Sequence, residues 1–255
     1  MKIIISPAKT LDFSTKAATD QYSIPVFIDR SEKLIKELKK YSPPKLEKLM
    51  KISPKLANLN YDRFQEWQLP FTQRNSKQAL LAFRGEVYTG IDADTMSGED
   101  IDFAQQHLRI LSGLYGILCP LDLIQAYRLE MSTPLKNGRN KDLYQFWGET
   151  LTNTLKNEIN ADPDNILINL ASNEYYKAID SKKLNTRIIT PTFKDFKNGS
   201  YKFLSVYGKK ARGLMTRFII SNKITDPENL KLFETDGYFF DVRMSKGDNW
   251  VFTRG

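Results

Sequence analysis

Residues 207–217 combine basic side chains and glycines in a pattern suited to binding phosphate. At 100° per residue, an apolar stripe falls on one side of a helix, and Lys209, Lys210, Arg212 and Arg217 surround Gly213 on the other. Glycine inside a helix costs about 1 kcal/mol relative to alanine, so its presence needs a reason. A missing Cβ would let a partner approach the backbone between the four cations. We predict a phosphate-docking surface here; the alternative is a solvated basic face with a tolerated glycine.

The charge of the chain is concentrated in two segments. The net charge is +8, from 38 Lys and Arg against 30 Asp and Glu. Residues 194–223 carry a net +7 and residues 30–63 a net +6, which leaves the rest of the chain at −5. Two basic segments on a mildly acidic body are typical of a protein that binds a polyanion.

Residues 46–57 have the spacing of a helix–hairpin–helix unit, with 51–53 in the hairpin and Ala57 at the small position of the second helix. Both hairpin glycines of that motif are absent. A helix start at Pro54, capped by the preceding serine, would still present N–H groups to an anion. An ordinary pair of surface helices is the alternative. The candidate phosphate-binding residues of this unit are Lys48, Lys51, Ser53 and Lys55.

Three further segments place polar or aromatic side chains in apolar surroundings. Ser6–Thr10 follows the first predicted strand, and ligands gather at the carboxyl ends of strands in α/β sheets. Lys9 of this segment and Arg84 of the segment 83–90 are candidates for phosphate contact. Glu174 lies in a Ser-Asn-Glu-Tyr sequence and is a candidate for acid–base chemistry. The segment Ser6–Thr10 is equally open to interpretation as a connecting loop, and none of the three segments is diagnostic alone.

Several classes of protein are disfavoured by what the sequence lacks. His107 is the single histidine and Cys119 the single cysteine, so we expect no metal site and no cofactor. The lone cysteine has no resolving partner for peroxidase chemistry, and it fits a reducing cytoplasm. No stretch approaches the roughly 18 apolar residues of a membrane span. Neither a Rossmann glycine motif nor a P-loop is present.

The predicted elements alternate between strands and helices without a flexible linker. This alternation predicts an α/β fold, with residues 1–255 forming a single compact domain around a mixed sheet. The predicted strands are Lys2–Ser6, Ala79–Phe83, Ile110–Leu114, Ile166–Ala171, Arg187–Phe193, Tyr201–Val206 and 249–253. The predicted helices include Ser31–Lys40, Leu143–Ile159, Asn173–Ile179 and the basic helix.

Five of these motifs, taken in order, resemble the YaaA family of bacterial proteins. They are 5–12 (Ile-Ser-Pro-Ala-Lys-Thr-Leu-Asp), 83–88 (Phe-Arg-Gly-Glu-Val-Tyr), 111–116 (Leu-Ser-Gly-Leu-Tyr-Gly), 169–175 (Asn-Leu-Ala-Ser-Asn-Glu-Tyr) and 207–213 (Tyr-Gly-Lys-Lys-Ala-Arg-Gly). The resemblance covers essentially the whole chain. It implies a cytoplasmic protein of the peroxide stress response, with a positively charged cleft, a helix–hairpin–helix element and binding to DNA. It also implies a role in limiting iron-driven oxidative damage.

Two functions remain open from the sequence. The first is a non-catalytic protein that grips the backbone of double-stranded or branched DNA through both basic segments. The second is an enzyme on a nucleotide or nucleobase, with Lys9, Lys209, Lys210 and Arg212 on phosphates and Glu174 in acid–base work. An open groove lined by Lys51 and Arg212 would favour the first function. The second would be favoured by a deep cleft that brings together Ser6, Lys9, Asn173, Glu174 and Lys209.

Overall fold

The computed structural model describes residues 1–255 and shows a mixed α/β fold, as predicted. The strands are β1 (Lys2–Ile5), β2 (Thr10–Leu11), β3 (Lys77–Gln78), β4 (Phe83–Arg84), β5 (Leu108–Ser112), β6 (Gly116–Leu118), β7 (Leu123–Ile124), β8 (Ile166–Asn169), β9 (Arg187–Lys197), β10 (Ser200–Lys202), β11 (Phe239–Phe240) and β12 (Asn249–Arg254). The helices are α1 (Ile28–Leu38), α2 (Pro43–Met50), α3 (Pro54–Glu66), α4 (Ala79–Ala82), α5 (Glu86–Ile91), α6 (Gly98–His107), α7 (Leu143–Trp147), α8 (Thr150–Asn160), α9 (Asn173–Tyr176), α10 (Ser181–Leu184) and α11 (Ser205–Ser221). Short 3₁₀ turns occupy Ala93–Thr95, Pro227–Leu232 and Thr235–Gly237.

One eight-stranded sheet forms the centre of the molecule. Its strand order is β11-β12-β9-β8-β1-β5-β6, with β10 paired to β9. The strands β5, β1, β8, β9 and β12 are parallel to one another, whereas β6, β10 and β11 pair antiparallel with β5, β9 and β12, respectively. Because β1 and β8 are parallel neighbours, the segments that follow them leave the sheet at the same edge.

The central strands are buried on both faces. Ile3, Ile4 and Ile5 of β1 have no exposed surface, which explains why this strand is a continuous apolar run rather than an alternating one. The buried apolar side chains form one cluster of 64 residues that extends from Met1 to Phe252. Both ends of the chain therefore contribute to the same core.

Two glycines bring helices α11 and α5 into backbone contact. A Cβ built on Gly213 would lie 1.9 Å from the carbonyl oxygen of Val87, and one built on Gly90 would lie 2.4 Å from the carbonyl oxygen of Lys210. The predicted phosphate-docking role of Gly213 is therefore wrong. Its missing Cβ makes room for α5 of the same chain, and no external partner can reach that point of the helix.

Helices α2 and α3 are joined by the three residues that the sequence places in a hairpin. Lys51 adopts the left-handed conformation (φ 53°), and the Ser53 hydroxyl caps α3 by accepting a hydrogen bond from the Leu56 amide at 3.4 Å. Ala57 of α3 is fully buried. The helix pair is thus present, and its assignment as a DNA-binding helix–hairpin–helix stays a prediction.

Two features of the chain bear on membranes and metals. None of the helices combines enough length with enough apolar character to traverse a bilayer. No three side chains of the His, Cys, Asp and Glu types are grouped closely enough to hold a metal ion. His107 is structural: its Nδ1 lies 2.8 Å from the Met1 carbonyl oxygen, and its ring stacks on Phe103.

Candidate nucleic-acid interface

A cavity of about 580 Å³, here called the cleft, opens where β1 and β8 end. Its volume falls in the range of small-molecule sites, roughly 300–1,000 Å³. Its position matches the crevice beyond the carboxyl ends of strands in which α/β proteins bind ligands. The lining residues are 6–10, 84–88, Leu170, 172–175, Phe203, Ser205, Lys209 and Arg212.

Hydrogen bonds between the two strand ends build the floor of the cleft. The Ser6 hydroxyl accepts from the Ser172 amide at 2.9 Å and donates to the Ser172 hydroxyl at 3.1 Å. The Tyr88 hydroxyl donates to the carbonyl oxygen of Ser6 at 3.2 Å. Burial raises the pKa of Tyr88 well above its ordinary value, so this phenol stays protonated and acts as a donor. The floor is polar and held in place.

Four cations from three parts of the chain line the cleft. Lys9 forms an ion pair with Glu130 (2.9 Å), and Arg84 forms ion pairs with Asp12 and Asp94. Lys209 and Arg212, one turn apart on α11, make no ion pair within the chain. The last two are therefore the cations most available to an incoming anion.

Desolvation and an aromatic ring set the environment of Arg212. Burial lowers the pKa of this guanidinium, which remains a cation at neutral pH because arginine starts from a very high value. Its central carbon lies 5.8 Å from the centre of the Phe203 ring. Phe203 is about half exposed and also lines the cleft. A cation beside an accessible aromatic face is suited to hold a phosphate and a stacked base together.

Glu174 also lines the cleft, and hydrogen bonds fix the orientation of its carboxylate. One of its oxygens accepts hydrogen bonds from the Ser132 amide at 3.1 Å and the Ser132 hydroxyl at 2.8 Å. The Tyr144 hydroxyl donates to the Glu174 backbone carbonyl at 2.9 Å. Glu86, at the start of α5, is a second carboxylate on the lining. The cleft thus contains acid–base groups as well as cations.

Glu130 forms ion pairs with both Lys9 and Arg128. One carboxylate oxygen of Glu130 lies 2.9 Å from the Lys9 ammonium and 2.9 Å from Nη2 of Arg128. Nε of Arg128 is buried and has no hydrogen-bond partner. Glu130 therefore divides its charge between two cations, and Lys9 is only partly neutralised.

A family model described as peroxide stress protein YaaA matches residues 1–244 of the chain. The chain belongs to this family. The family assignment predicted from the five motifs is thereby confirmed, and the family is one of peroxide stress proteins. Three of those motifs, at 5–12, 83–88 and 169–175, supply much of the lining of the cleft.

The structure separates the ten sequence-predicted phosphate-binding residues into three groups. Lys9, Arg84, Lys209 and Arg212 line the cleft, and so does the candidate acid–base residue Glu174. A second group lies elsewhere, on the α2–α3 pair: the side chains are exposed, make no ion pair and are absent from the cleft lining. That group consists of Lys48, Lys51, Ser53 and Lys55.

The remaining two predicted cations of this family member are engaged within the protein. Lys210 forms an ion pair with Asp236 at 3.5 Å and does not line the cleft. Arg217 donates hydrogen bonds to the carbonyl oxygens of Ile91 and Asp92 at 3.2 and 2.8 Å, where α5 ends. The prediction that all four cations of α11 surround one docking surface is therefore wrong, because α5 covers part of the helix face on which they lie.

Two residues of the cleft, Phe203 and Ser205, lie outside every motif identified in the sequence. A signal for Phe203 exists: a Cβ on Gly208 would lie 2.4 Å from the Phe203 ring, so this glycine leaves space for the ring against the first turn of α11.

Proposed function

We propose that this protein binds DNA in the cleft as part of the peroxide stress response, and that this binding limits oxidative damage to the DNA. The proposal is carried by the convergence of Lys9, Arg84, Lys209 and Arg212 on one cleft from three separate segments. Such cations neutralise backbone phosphates without regard to sequence. We further propose that the exposed basic residues of α2 and α3 contact the backbone outside the cleft.

The lining of the cleft favours binding of a DNA strand that inserts one nucleotide into the cleft. Phe203 offers an exposed ring for stacking, and Lys209 and Arg212 lie on the same wall for the adjoining phosphate. Ser205, the first residue of the 17-residue helix α11, also lines the cleft. The free N–H groups of that helix start add to the attraction for an anion.

The test is the salt dependence of DNA affinity in the double variant Lys209→Ala/Arg212→Ala. For duplex DNA, each lost phosphate contact reduces the slope of log affinity against log salt by roughly 0.9, so we expect a reduction of about two. A matched control is Lys156→Ala/Lys182→Ala, which removes the same charge from α8 and α10, away from the cleft. Lys210→Ala should change the slope less than either cleft residue, because that side chain is paired with Asp236.

If the double variant and the control have the same slope, the DNA site is not the cleft. Measuring two unrelated duplexes separates backbone binding from base reading. Equal loss on both supports contact with phosphates, whereas loss confined to one duplex would mean that these side chains read bases.

A second function, a reaction on a nucleotide or nucleobase, is favoured by a specific observation. The cleft brings together Ser6, Lys9, Asn173, Glu174 and Lys209, the five residues whose convergence we expected of an enzyme, while Lys51 lies outside it. Glu174 lines this cleft, and its carboxylate is held by Ser132. In this role Glu174 would move a proton while the cations hold the phosphate.

Incubation with ATP and with short DNA strands, followed by product analysis, tests this second function. Glu174→Gln should abolish any product while leaving the dissociation constant of the nucleotide within about threefold, because the cations that bind it are retained. Ser132→Ala removes only the hydroxyl contact and should lower the rate without abolishing it. Equal product from wild type and Glu174→Gln would exclude Glu174 as the acid–base group.

A further inference from the structure

A second polar cavity lies beside the cleft and belongs to no motif of the sequence. This cavity, here called the loop pocket, has a volume of about 480 Å³ and is lined by 13 residues, of which two are hydrophobic. It is formed by the loop 13–20 and the segment 73–78. The lining contains three cations, Lys16, Arg74 and Lys77, against one acid, Asp20. It therefore has an excess of positive charge that nothing in the lining neutralises.

Lys77 is a buried cation on the lining of the loop pocket. It is 6 % exposed, and its ammonium donates to the Thr15 carbonyl oxygen at 2.7 Å. Its nearest carboxylate oxygen, on Asp12, is 3.8 Å away and is shared with Arg84, from which it lies 3.4 Å. An ammonium has three hydrogen-bond donors. Burying this charged group with one hydrogen bond and one distant carboxylate costs free energy of folding. An anion in the loop pocket would complete the pairing.

The loop pocket and the cleft are joined by a short segment of chain. Lys9 lines the cleft and Phe13 lines the loop pocket, with β2 between them. Four residues span at most about 14 Å. Asp12 contacts cations on both sides, Lys77 towards the loop pocket and Arg84 towards the cleft. Phosphates of one DNA strand advance about 3.4 Å per nucleotide along the axis, so a few nucleotides cover this separation.

We propose that the loop pocket is a second phosphate-binding site, which holds the DNA backbone a few nucleotides away from the cleft. This inference rests on the proposed DNA binding, and it extends the DNA-contacting surface from the cleft to the loop pocket. Lys16 and Arg74 are exposed and can follow the backbone, while buried Lys77 fixes the loop and adds its charge. The Thr19 hydroxyl on the same lining accepts from the Gln21 amide at 3.1 Å and keeps its own proton to donate to a phosphate oxygen.

The experiment compares a long and a short probe on Lys16→Ala/Arg74→Ala. Both side chains are exposed, so the variant should melt like the wild type. With a 20-base-pair duplex, which reaches both sites, the salt slope should fall by roughly two. With dAMP, which fills only the cleft, affinity should be unchanged. The charge reversal Lys16→Glu/Arg74→Glu should weaken duplex binding further and again spare dAMP.

The outcomes separate this inference from the proposal on which it rests. If the wild type binds no duplex, DNA binding itself fails. If Lys209→Ala/Arg212→Ala weakens duplex binding while Lys16→Ala/Arg74→Ala keeps the wild-type slope, the cleft binds DNA and the loop pocket does not. Loss of dAMP affinity in the loop-pocket variant would also overturn the inference, because the residues would then act through the shape of the cleft.

Discussion

The contact between α11 and α5 predicts that Gly213→Ala destabilises the protein, against the intrinsic preference of the helix. Alanine in place of glycine stabilises a helix interior by about 1 kcal/mol. Here the new Cβ would lie 1.9 Å from the Val87 carbonyl oxygen, whereas ordinary contact requires about 3.4 Å. Helix α5 must therefore move by about 1.5 Å. Both neighbouring groups are backbone, so no change of rotamer relieves the clash.

Overpacking of a buried interface costs roughly 1–3 kcal/mol and occasionally more. We expect this term to outweigh the propensity gain, with a lower free energy of unfolding and a melting temperature lower by about 2–4 °C per kcal/mol. Because α5 contributes Val87 and Tyr88 to the cleft, its displacement should also weaken DNA binding. Thermal and denaturant unfolding, followed by a DNA titration, measure both effects.

Gly98→Ala provides the matched control. Gly98 begins α6, and a Cβ built on it meets no atom within 4 Å, so this substitution should leave stability within about 0.5 kcal/mol of wild type. A Gly213→Ala variant that is as stable as wild type would refute the close helix contact. If that variant also lost DNA affinity, Gly213 would instead mark a surface to which phosphate docks.

Four further predictions concern single side chains. Ser53→Pro should weaken DNA binding more than Ser53→Ala in a titration, because it removes an N–H group as well as the capping hydroxyl, and the φ of −68° suits proline; equal effects would make the N–H irrelevant. Arg217→Met should lower the free energy of unfolding in urea by about 1–2 kcal/mol, because carbonyl oxygens at the end of α5 lose a charged donor; an unchanged midpoint would contradict this. Glu130→Gln should raise DNA affinity by about two- to fivefold by releasing Lys9 from an exposed ion pair, and weaker binding would mean that the bridge positions Lys9. Burial raises the pKa of Cys119 to about 11, so about one thiol in a thousand is ionised at pH 8, and alkylation by iodoacetamide should be roughly 100-fold slower than in the unfolded chain; equal rates would show an accessible thiolate.

Elements with strong local signals were predicted well from the sequence. The apolar run at the start of the chain forms β1, and the Asn-Gly dipeptide forms the predicted turn between β9 and β10. Asn198 and Gly199 both have positive φ, 53° and 76°, as such a two-residue hairpin turn requires. In these places the local backbone preference and the tertiary fold agree.

Apolar runs without a clear period were predicted less well. Residues 79–83 were predicted as a strand, but Ala79–Ala82 form a helical turn between two short strands. Every residue of this turn is fully buried, so no alternation could reveal the difference. The predicted helix 143–159 is divided into α7 and α8 at Gly148, whose φ of 50° ends the first helix.

The convergence of the cleft could not be predicted from the sequence because it depends on strand order. The segments at 6–10 and 172–175 were each identified as candidates, and they meet because β1 and β8 are adjacent and parallel. The contribution of α11 depends on its contact with α5, which hides Gly213 and leaves Lys209 and Arg212 accessible. The candidate residues could be identified from their types, but strand order and helix packing determine which of them line the cleft.

The two glycines of α11 show why composition alone misplaced the binding surface. Gly208 leaves space for the Phe203 ring, which lines the cleft, whereas Gly213 leaves space for the backbone of α5. Neither contacts phosphate in this arrangement, yet both determine the wall that we propose holds it. A ligand that touches Phe203, Arg212 and α5 together must stabilise this contact, because binding to the folded state alone raises stability by RT ln(1 + [L]/Kd). Because displacement of α5 weakens binding, a given DNA concentration should stabilise Gly213→Ala less than the wild type and widen the gap between their melting temperatures, whereas a DNA site on α2 and α3 alone would stabilise both equally.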